Sequence, residues 1–273
     1  IIPIKNLEQA ALIPNVKLIP MTTLRDLYLH YNEASAAQQI QTGAEGKNVT
    51  HESHSCQHGI HEIIGQAQAK RALEIAAAGG HNILLDGPPG TGKSMLAKAL
   101  PSILPSLTNE ERLEITHLHS LATNDYQQLI TERPFRSPHH SASHVAIVGG
   151  GNTVRPGEIS LSHRGVLLFD ELPEFNRQTI EALRQPLEDK IITITRAKQT
   201  VVYPANFMFV GTANPCPCGY FGTNKSCNCS PHQINQYKRK LSGPLMDRID
   251  LHVSVQEVKY RRLLDDTSGL ESE

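Results

Sequence analysis

The sequence lacks an excess of charge and any long apolar run. Its 273 residues carry 26 Lys and Arg against 27 Asp and Glu, and the formal net charge of −1 gives no global attraction to nucleic acid or anionic membranes. Any contact with DNA must therefore be local. The apolar runs are short and broken by Pro, Gly or His, which argues against a membrane span and a membrane partner. Without a basic region followed by an apolar stretch there is no secretory signal, so we expect a cytoplasmic protein.

An initiator methionine is also missing, since the chain opens with Ile1, Ile2 and Pro3. We therefore expect residue 1 to be an internal position of a longer protein. Large apolar side chains are scarce over residues 31–59, where Gln, Ala, Ser, His and Gly predominate. Such a composition buries too little surface to offset chain entropy, which predicts a flexible linker.

From about residue 60 the composition changes to helical stretches that alternate with apolar strands. Helices are predicted over residues 67–78 and 93–100. Nearly continuous apolar runs, typical of parallel strands covered on both faces, occupy residues 82–86, 165–170, 207–212 and 249–255. This alternation predicts an α/β sandwich with a parallel sheet.

A glycine-rich loop separates the first of these strands from the second helix. Its glycines let backbone N–H groups surround phosphate oxygens, and the helix N-terminus adds partial positive charge. In the pattern G-x-x-x-x-G-K-[ST] the lysine reaches the β- and γ-phosphates and the hydroxyl binds Mg²⁺. The matching residues are Gly87, Pro88, Pro89, Gly90, Thr91, Gly92, Lys93 and Ser94. The loop therefore predicts a site for ATP and Mg²⁺.

Two adjacent carboxylates, Asp170 and Glu171, follow the second apolar run. Successive strand residues point in opposite directions, so Asp170 can support the Mg²⁺ shell while Glu171 polarises the attacking water. The third run ends at Asn214, whose amide can hold that water or the γ-phosphate. Alone, the acids are equally typical of a helix start and Asn214-Pro215 of a turn. Their occurrence together with the phosphate loop favours ATP hydrolysis.

Together these residues resemble the AAA+ ATPases, and the resemblance places Ile63 and Ile64 near the adenine and makes Asn214 sensor 1. Longer phrases narrow it to the magnesium-chelatase-like ComM/YifB family over residues 60–258. These phrases are Arg-Pro-Phe-Arg-Ser-Pro-His-His at 133–140, Arg-Pro-Gly-Glu-Ile-Ser-Leu at 155–161, Glu-Ala-Leu-Arg-Gln-Pro-Leu-Glu at 181–188 and Ser-Gly-Pro-Leu-Met-Asp-Arg-Ile-Asp at 242–250. The family fold implied is a P-loop sandwich with a five-stranded parallel sheet, a helix-2 insertion and a β-hairpin before sensor 1.

The resemblance also implies domain limits. Residues 1–30 resemble the tail of an upstream Lon/S5-like domain, and the linker at 31–59 follows it. The AAA+ ATPase domain is expected at 60–258, and residues 259–273 are expected to begin a truncated helical lid.

Three further roles follow from the resemblance. Arg248 matches the arginine finger offered to a neighbouring subunit's ATP, with a surface pair to Asp247 or Asp250 as the alternative. Residues 191–202 alternate apolar and polar side chains and predict a β-hairpin whose tip carries Arg196 and Lys198. In a ring these two side chains would contact DNA phosphates in the pore, while a solvated turn is the alternative. Residues 148–155 resemble the helix-2 insertion, a second pore loop.

Four of the five cysteines crowd together directly after Asn214. In a cytosolic protein such a cluster suggests a metal before a disulfide, and four thiolates suit tetrahedral Zn²⁺ in a structural site. The paired spacing of one residue is tighter than in most zinc sites, and reduced cysteines in a surface loop are the alternative. The four residues are Cys216, Cys218, Cys227 and Cys229.

Two functions remain open from the sequence. Similarity to ComM implies a hexameric, ATP-driven DNA helicase that acts on single-stranded or branched DNA and promotes branch migration during natural transformation. The alternative is a magnesium-chelatase-type ATPase that remodels a protein partner. Both use the same ATP site, so the motifs of that site do not separate them.

Overall fold

The fold consists of short strands and helices in an α/β arrangement. In this computed structural model the described residues are 1–11, 13, 16–32, 40–41, 59–122, 129–151, 153–196, 199–241 and 243–257. The strands are β1 (Ile2–Pro3), β2 (Lys17–Leu18), β3 (Pro20–Met21), β4 (Ile40–Gln41), β5 (Ile83–Asp86), β6 (Phe135–Arg136), β7 (Gly149–Gly150), β8 (Arg155–Pro156), β9 (Val166–Phe169), β10 (Ile191–Arg196), β11 (Gln199–Pro204), β12 (Met208–Ala213) and β13 (Leu251–Ser254).

The helices lie between these strands. They are α1 (Leu7–Ala10), α2 (Leu24–Asn32), α3 (Ala67–Gly79), α4 (Lys93–Ala99), α5 (Asn109–Ala122), α6 (His144–Val148), α7 (Glu158–Leu161), α8 (Arg177–Ala182), α9 (Arg184–Asp189), α10 (Pro231–Arg239) and α11 (Gly243–Met246). Short 3₁₀ turns occur at Ile4–Asn6, Ile60–Glu62, Leu100–Ile103 and Leu172–Glu174. Every helix among the described residues is too short or too polar to cross a membrane.

The central sheet has five strands in the order β13-β5-β12-β9-β6. Each neighbouring pair is parallel. Since all five strands run in one direction, their carboxyl ends share one edge, which is where open α/β sheets bind ligands. The predicted five-stranded parallel sheet is confirmed.

Successive residues of each sheet strand point to opposite faces, and this explains why the strands are continuous apolar runs in the sequence. Ile83 and Leu85 face one core with Leu73 of α3 and Leu96 of α4. Leu84 faces the opposite core, which also holds Leu167, Phe169 and Phe209 and residues of α8 and the hairpin. Because both faces are covered, both sets of side chains are mostly apolar.

The strand and helix predictions agree with the structure within one or two residues at most ends. Residues 82–86, 165–170, 207–212 and 249–255 contain β5, β9, β12 and β13. The fifth strand, β6, has two residues and gives no recognisable pattern. The predicted hairpin is confirmed as β10 and β11, whose register pairs Ile191 with Pro204 and Arg196 with Gln199.

Strands β1 to β4 form two small two-stranded sheets apart from the central one, and β4 lies within the span predicted as a linker. β1 pairs with β3 in parallel, and β2 pairs with β4 in antiparallel orientation. Most of the predicted linker, the predicted start of the lid at 259–273 and Lys198 lie outside the described residues.

Candidate nucleotide-binding and catalytic site

The phosphate loop connects β5 to α4 at the carboxyl edge of the sheet. Gly90 and Gly92 adopt left-handed backbone angles, with φ of +81° and +86°, which favour glycine. Thr91 Oγ1 donates a hydrogen bond to the Pro88 carbonyl at 2.9 Å, so the loop braces itself. These turns place the Lys93 and Ser94 side chains at the start of α4, as the motif predicts.

Lys93 lies inside the loop and is buried. Its ammonium donates to the carbonyls of Gly87 at 2.6 Å and Pro88 at 2.8 Å, and to Asn214 Oδ1 at 3.0 Å. Burial lowers the pKa of Lys93, although Asp86 and the two acids after β9 oppose this change. The predicted phosphate-binding lysine and the predicted sensor 1 amide therefore meet directly.

The Ser94 hydroxyl and the Asp170 carboxylate also meet. Ser94 Oγ lies 2.9 Å from Asp170 Oδ1 and 2.8 Å from Oδ2. A hydroxyl and a carboxylate side by side, next to a loop shaped for phosphates, form the oxygen ligand set that Mg²⁺ prefers. These residues fit the cation that the motif implies.

Thr212 completes this group, although no motif in the sequence points to it. Its hydroxyl donates to Asp170 Oδ1 at 2.6 Å and accepts from the Glu171 backbone N–H at 2.8 Å. Thr212 is fully buried in the otherwise apolar strand β12. A polar residue buried in such a strand needs partners, and a lone threonine in an apolar run was the weak signal available in the sequence.

Glu171 has an exposed side chain and an uncommon backbone. Its φ of 56° and ψ of 51° are left-handed, where a residue with a Cβ pays about 1–2 kcal/mol. This conformation turns the chain sharply after β9, so that Asp170 and Glu171 emerge at the same edge. The carboxylate thus stands at the site while its backbone is held by Thr212.

The two residues expected near the adenine differ in accessibility. Ile63 is buried in the core beneath α3, whereas Ile64 is only half-buried. Their neighbour Gln66 donates to the Thr91 carbonyl at 3.2 Å and to the Gln256 carbonyl at 2.6 Å. Gln66 therefore ties this segment to the phosphate loop and to the residues after β13.

The Arg248 side chain is bonded within its own chain. Its guanidinium contacts the Glu188 carboxylate in two places and donates to the Pro244 carbonyl at 2.6 Å. The alternative partners considered from the sequence, Asp247 and Asp250, are not the ones that it uses. Glu188 was missed because it lies 60 positions away at the end of α9.

The two predicted pore segments lie next to each other. The hydroxyl of Tyr203, in β11, donates to the Val154 carbonyl in the insertion at 2.9 Å. The exposed Arg196 at the end of β10 extends over Gly150 of β7. The hairpin and the insertion therefore form one surface.

The four clustered cysteines lie close together as free thiols. Their sulfur atoms all lie within 4.8 Å of one another, and none is in a disulfide. The backbone N–H of Tyr220 lowers the pKa of Cys218 to about 6. The cluster therefore has the ligands expected of a metal site.

Known proteins with similar sequences agree with this geometry. The sequence pattern of the family described as magnesium chelatase, subunit ChlI, matches residues 59–263. The uncharacterized protein YifB of Escherichia coli K12 is 51% identical over 204 residues, which cover 74% of this chain and 40% of YifB. Competence protein ComM of Haemophilus influenzae is 52% identical over 195 residues, covering 71% and 38%. The chain thus matches about two fifths of each relative.

A solved structure supports the fold. It is described as a complex between subunits BchI and BchD of magnesium chelatase, and it superposes with a TM-score of 0.52 at 22% identity. The superposition covers 76% of this chain and 64% of that one. With the family match over three quarters of the sequence and the two bacterial relatives, the chain belongs to the magnesium-chelatase-like AAA+ family that includes ComM and YifB.

Proposed function

We propose that this chain is the ATP-binding and ATP-hydrolysing part of an AAA+ motor that moves DNA. The observation that carries the ATPase proposal is the convergence of Lys93, Ser94, Asp170, Glu171 and Asn214 at one sheet edge. Three separate strands deliver these side chains, and hydrogen bonds of 2.8–3.0 Å join the lysine to the amide and the serine to the aspartate. A glycine-rich turn without function has no need of this arrangement.

Each residue takes a distinct part in hydrolysis. Ser94 and Asp170 would hold Mg²⁺, which when bound neutralises phosphate charge. Lys93 binds the β- and γ-phosphates by exchanging one of its present hydrogen-bond partners for a phosphate oxygen. Glu171, exposed and next to that group, accepts a proton from the attacking water. Asn214 orients that water from the neighbouring strand.

Arg248 supplies the part of the site that one chain lacks. Its guanidinium is permanently charged and planar, so it can neutralise γ-phosphate oxygens of a neighbouring subunit. To do so it must leave Glu188, whose side chain is 61% exposed and thus held by little else. This role requires self-association, and we propose a ring, a hexamer in the full-length protein.

The combined surface of hairpin and insertion supports a DNA substrate. Arg196 lies on it, and phosphate contacts from such a side chain bind DNA without reading its sequence. The name of the ComM relative points to competence, which involves incoming DNA. Together these observations favour a helicase that promotes branch migration of single-stranded or branched DNA.

A chelatase-type ATPase acting on a protein partner is the second candidate. The match to the magnesium chelatase ChlI family over residues 59–263 favours it. Both functions would use the same ATP site. They differ in the polymer, DNA or protein, that stimulates ATP turnover.

The decisive experiment measures ATP turnover and forked-DNA unwinding by the full-length protein. We expect DNA to stimulate turnover, and we expect Lys93→Ala to abolish both nucleotide binding and unwinding. Arg196→Ala should weaken DNA stimulation and leave basal turnover unchanged. ATP turnover that DNA does not stimulate would refute the helicase proposal, and a Lys93→Ala protein that still hydrolyses ATP would refute the ATP site itself.

A further inference from the structure

The cysteine cluster has the dimensions of a metal cage. Cys216 Sγ lies 3.4 Å from Cys218 Sγ and 3.8 Å from Cys227 Sγ, and the last two are 3.5 Å apart. Four sulfurs around Zn²⁺ at bond lengths of about 2.3 Å form a tetrahedron with edges of about 3.8 Å. These three separations, with all four sulfurs within 4.8 Å of one another, match ligands around one small cation, and they are far longer than a disulfide bond.

From this geometry we infer that Cys216, Cys218, Cys227 and Cys229 bind one structural Zn²⁺, and that this zinc knuckle supports the phosphate loop. The knuckle is defined here as residues 216–229. Four thiolates close the coordination shell, so the ion has no open position for catalysis. The second half of the inference rests on the proposed ATP function.

Contacts around the sulfurs suit thiolates. The Phe221 backbone N–H donates to Cys216 Sγ at 3.3 Å, the kind of hydrogen bond that orients a metal ligand. Cys216 itself is buried. The knuckle also contains the ammonium of Lys225, which lies 5.2 Å from the centre of the Tyr220 ring, while four thiolates and one Zn²⁺ sum to −2.

The knuckle lies directly against the phosphate loop. Gly219 has a left-handed φ of +84°, and a Cβ placed on it would stand 2.6 Å from Pro89 Cδ. The knuckle also begins two residues after Asn214, the residue that binds Lys93. The knuckle therefore follows the sensor 1 amide directly in sequence and lies against the phosphate loop in space.

The same knuckle is attached to the segment after β13. Lys225 forms an ion pair with Glu257 at 3.4 Å. The preceding residue, Gln256, accepts from Gln66, and Val255 presents its carbonyl to Gly87, where a Cβ would stand only 2.2 Å from that oxygen. The phosphate loop thus contacts the knuckle through Pro89 and the segment after β13 through Gly87, and the ion pair joins the knuckle to that segment. Loss of the metal would release one of these two supports.

The first test measures the metal. Freshly purified protein should contain one Zn²⁺ per chain, and replacement by Co²⁺ should give the visible absorption of a tetrahedral cobalt–thiolate centre. Cys218→Ser should lose the metal, whereas Cys56→Ser, which changes the fifth cysteine of the sequence, should retain it. Protein without zinc that gives no cobalt spectrum would overturn the inference, as would a disulfide among the four cysteines in mass spectrometry.

The second test measures the coupling through two glycines of the same knuckle. Gly219→Ala and Gly222→Ala both place a side chain at a left-handed φ, +84° and +75°, but a Cβ on Gly222 meets nothing within 4 Å. We expect both variants to keep zinc. Overpacking against Pro89 should raise the nucleotide Kd of Gly219→Ala by about tenfold, with little change for Gly222→Ala. Equal affinities in the two variants would refute the coupling.

Lys93→Ala distinguishes failure of this inference from failure of the ATP proposal. That variant should retain its zinc and lose nucleotide binding. If it binds nucleotide like the unaltered protein, the ATP proposal fails while the metal site stands. If chelation removes zinc without changing nucleotide affinity, the coupling fails while the ATP site stands.

Discussion

A single hydroxyl, that of Thr212, connects the two candidate catalytic acids. It donates to Asp170 at 2.6 Å and accepts from the backbone of Glu171 at 2.8 Å, and the residue is fully buried. Thr212→Val keeps the shape of the side chain and removes both hydrogen bonds. We predict that this change impairs catalysis through the position of Glu171.

The size of the effect follows from the groups left without a partner. The N–H of Glu171 is partly buried, and the loss of its acceptor costs at most about 1–3 kcal/mol of folding stability. Glu171 also holds a left-handed backbone, with φ of 56°, that costs about 1–2 kcal/mol and relaxes once the hydroxyl is gone. A carboxylate displaced by about 1 Å lowers kcat by about 100-fold. Nucleotide affinity should change much less, because Lys93 keeps its contacts.

Steady-state ATP turnover and nucleotide binding by the full-length protein would measure the two effects separately. Thr212→Ser is the matched control, because it restores the hydroxyl and loses only a methyl group. Denaturant unfolding of each variant shows how much of the loss is due to unfolding. A Thr212→Val protein with unchanged kcat, or a serine variant as impaired as the valine variant, would contradict this role.

Three further predictions concern other parts of the chain. Glu171→Gln should bind ATP normally and release phosphate at least about 100-fold more slowly, and a smaller loss would argue against Glu171 as the base. Arg248→Ala should lower turnover by about 1,000-fold at unchanged nucleotide affinity, and mixing it with unaltered subunits should restore activity in part; a variant that loses nucleotide affinity instead would argue for a role within its own chain. Burial lowers the pKa of His163, although Glu114 opposes this change, and the His163 ring accepts a hydrogen bond from the Asn206 N–H. The unfolded chain therefore binds a proton near pH 6.5, whereas the folded chain binds it only at a lower pH. Stability should therefore fall as the pH drops below about 6.5, by at most about 1.4 kcal/mol per pH unit, and thermal unfolding of His163→Asn should show a flatter pH dependence.

The sheet was predictable because its strands are covered on both faces. Residues such as Leu84 and Leu85 point to opposite cores, so burial leaves an unbroken apolar run in the sequence. β6 escaped prediction since two residues, Phe135 and Arg136, are too few to show a period. Its strand character comes from pairing with β9, a tertiary contact.

Site residues could be predicted only where a sequence motif specifies the residue type at a set spacing. Lys93 and Ser94 follow from the phosphate-loop pattern, and Asp170 from the strand before it. The partner of Arg248 was not predictable, because Glu188 comes from a distant helix and exposed charges have several nearby candidates. Thr212 was overlooked for a different reason, since one threonine in a strand is common and only its burial shows its role.

The bonds of Lys93 indicate how the site connects phosphate binding to sensor 1. An ammonium has three N–H donors, and those of Lys93 reach the carbonyls of Gly87 and Pro88 and the amide of Asn214. A phosphate oxygen can therefore bind Lys93 only by displacing one of these acceptors. Displacing a carbonyl would loosen the phosphate loop. Displacing Asn214 would free its amide, the group proposed to orient the attacking water. Because the loop is held by Gln66 and by contacts with residues 219 and 255, the amide is the partner that is easier to release. Arrival of the γ-phosphate at Lys93 would thus itself free Asn214 for catalysis.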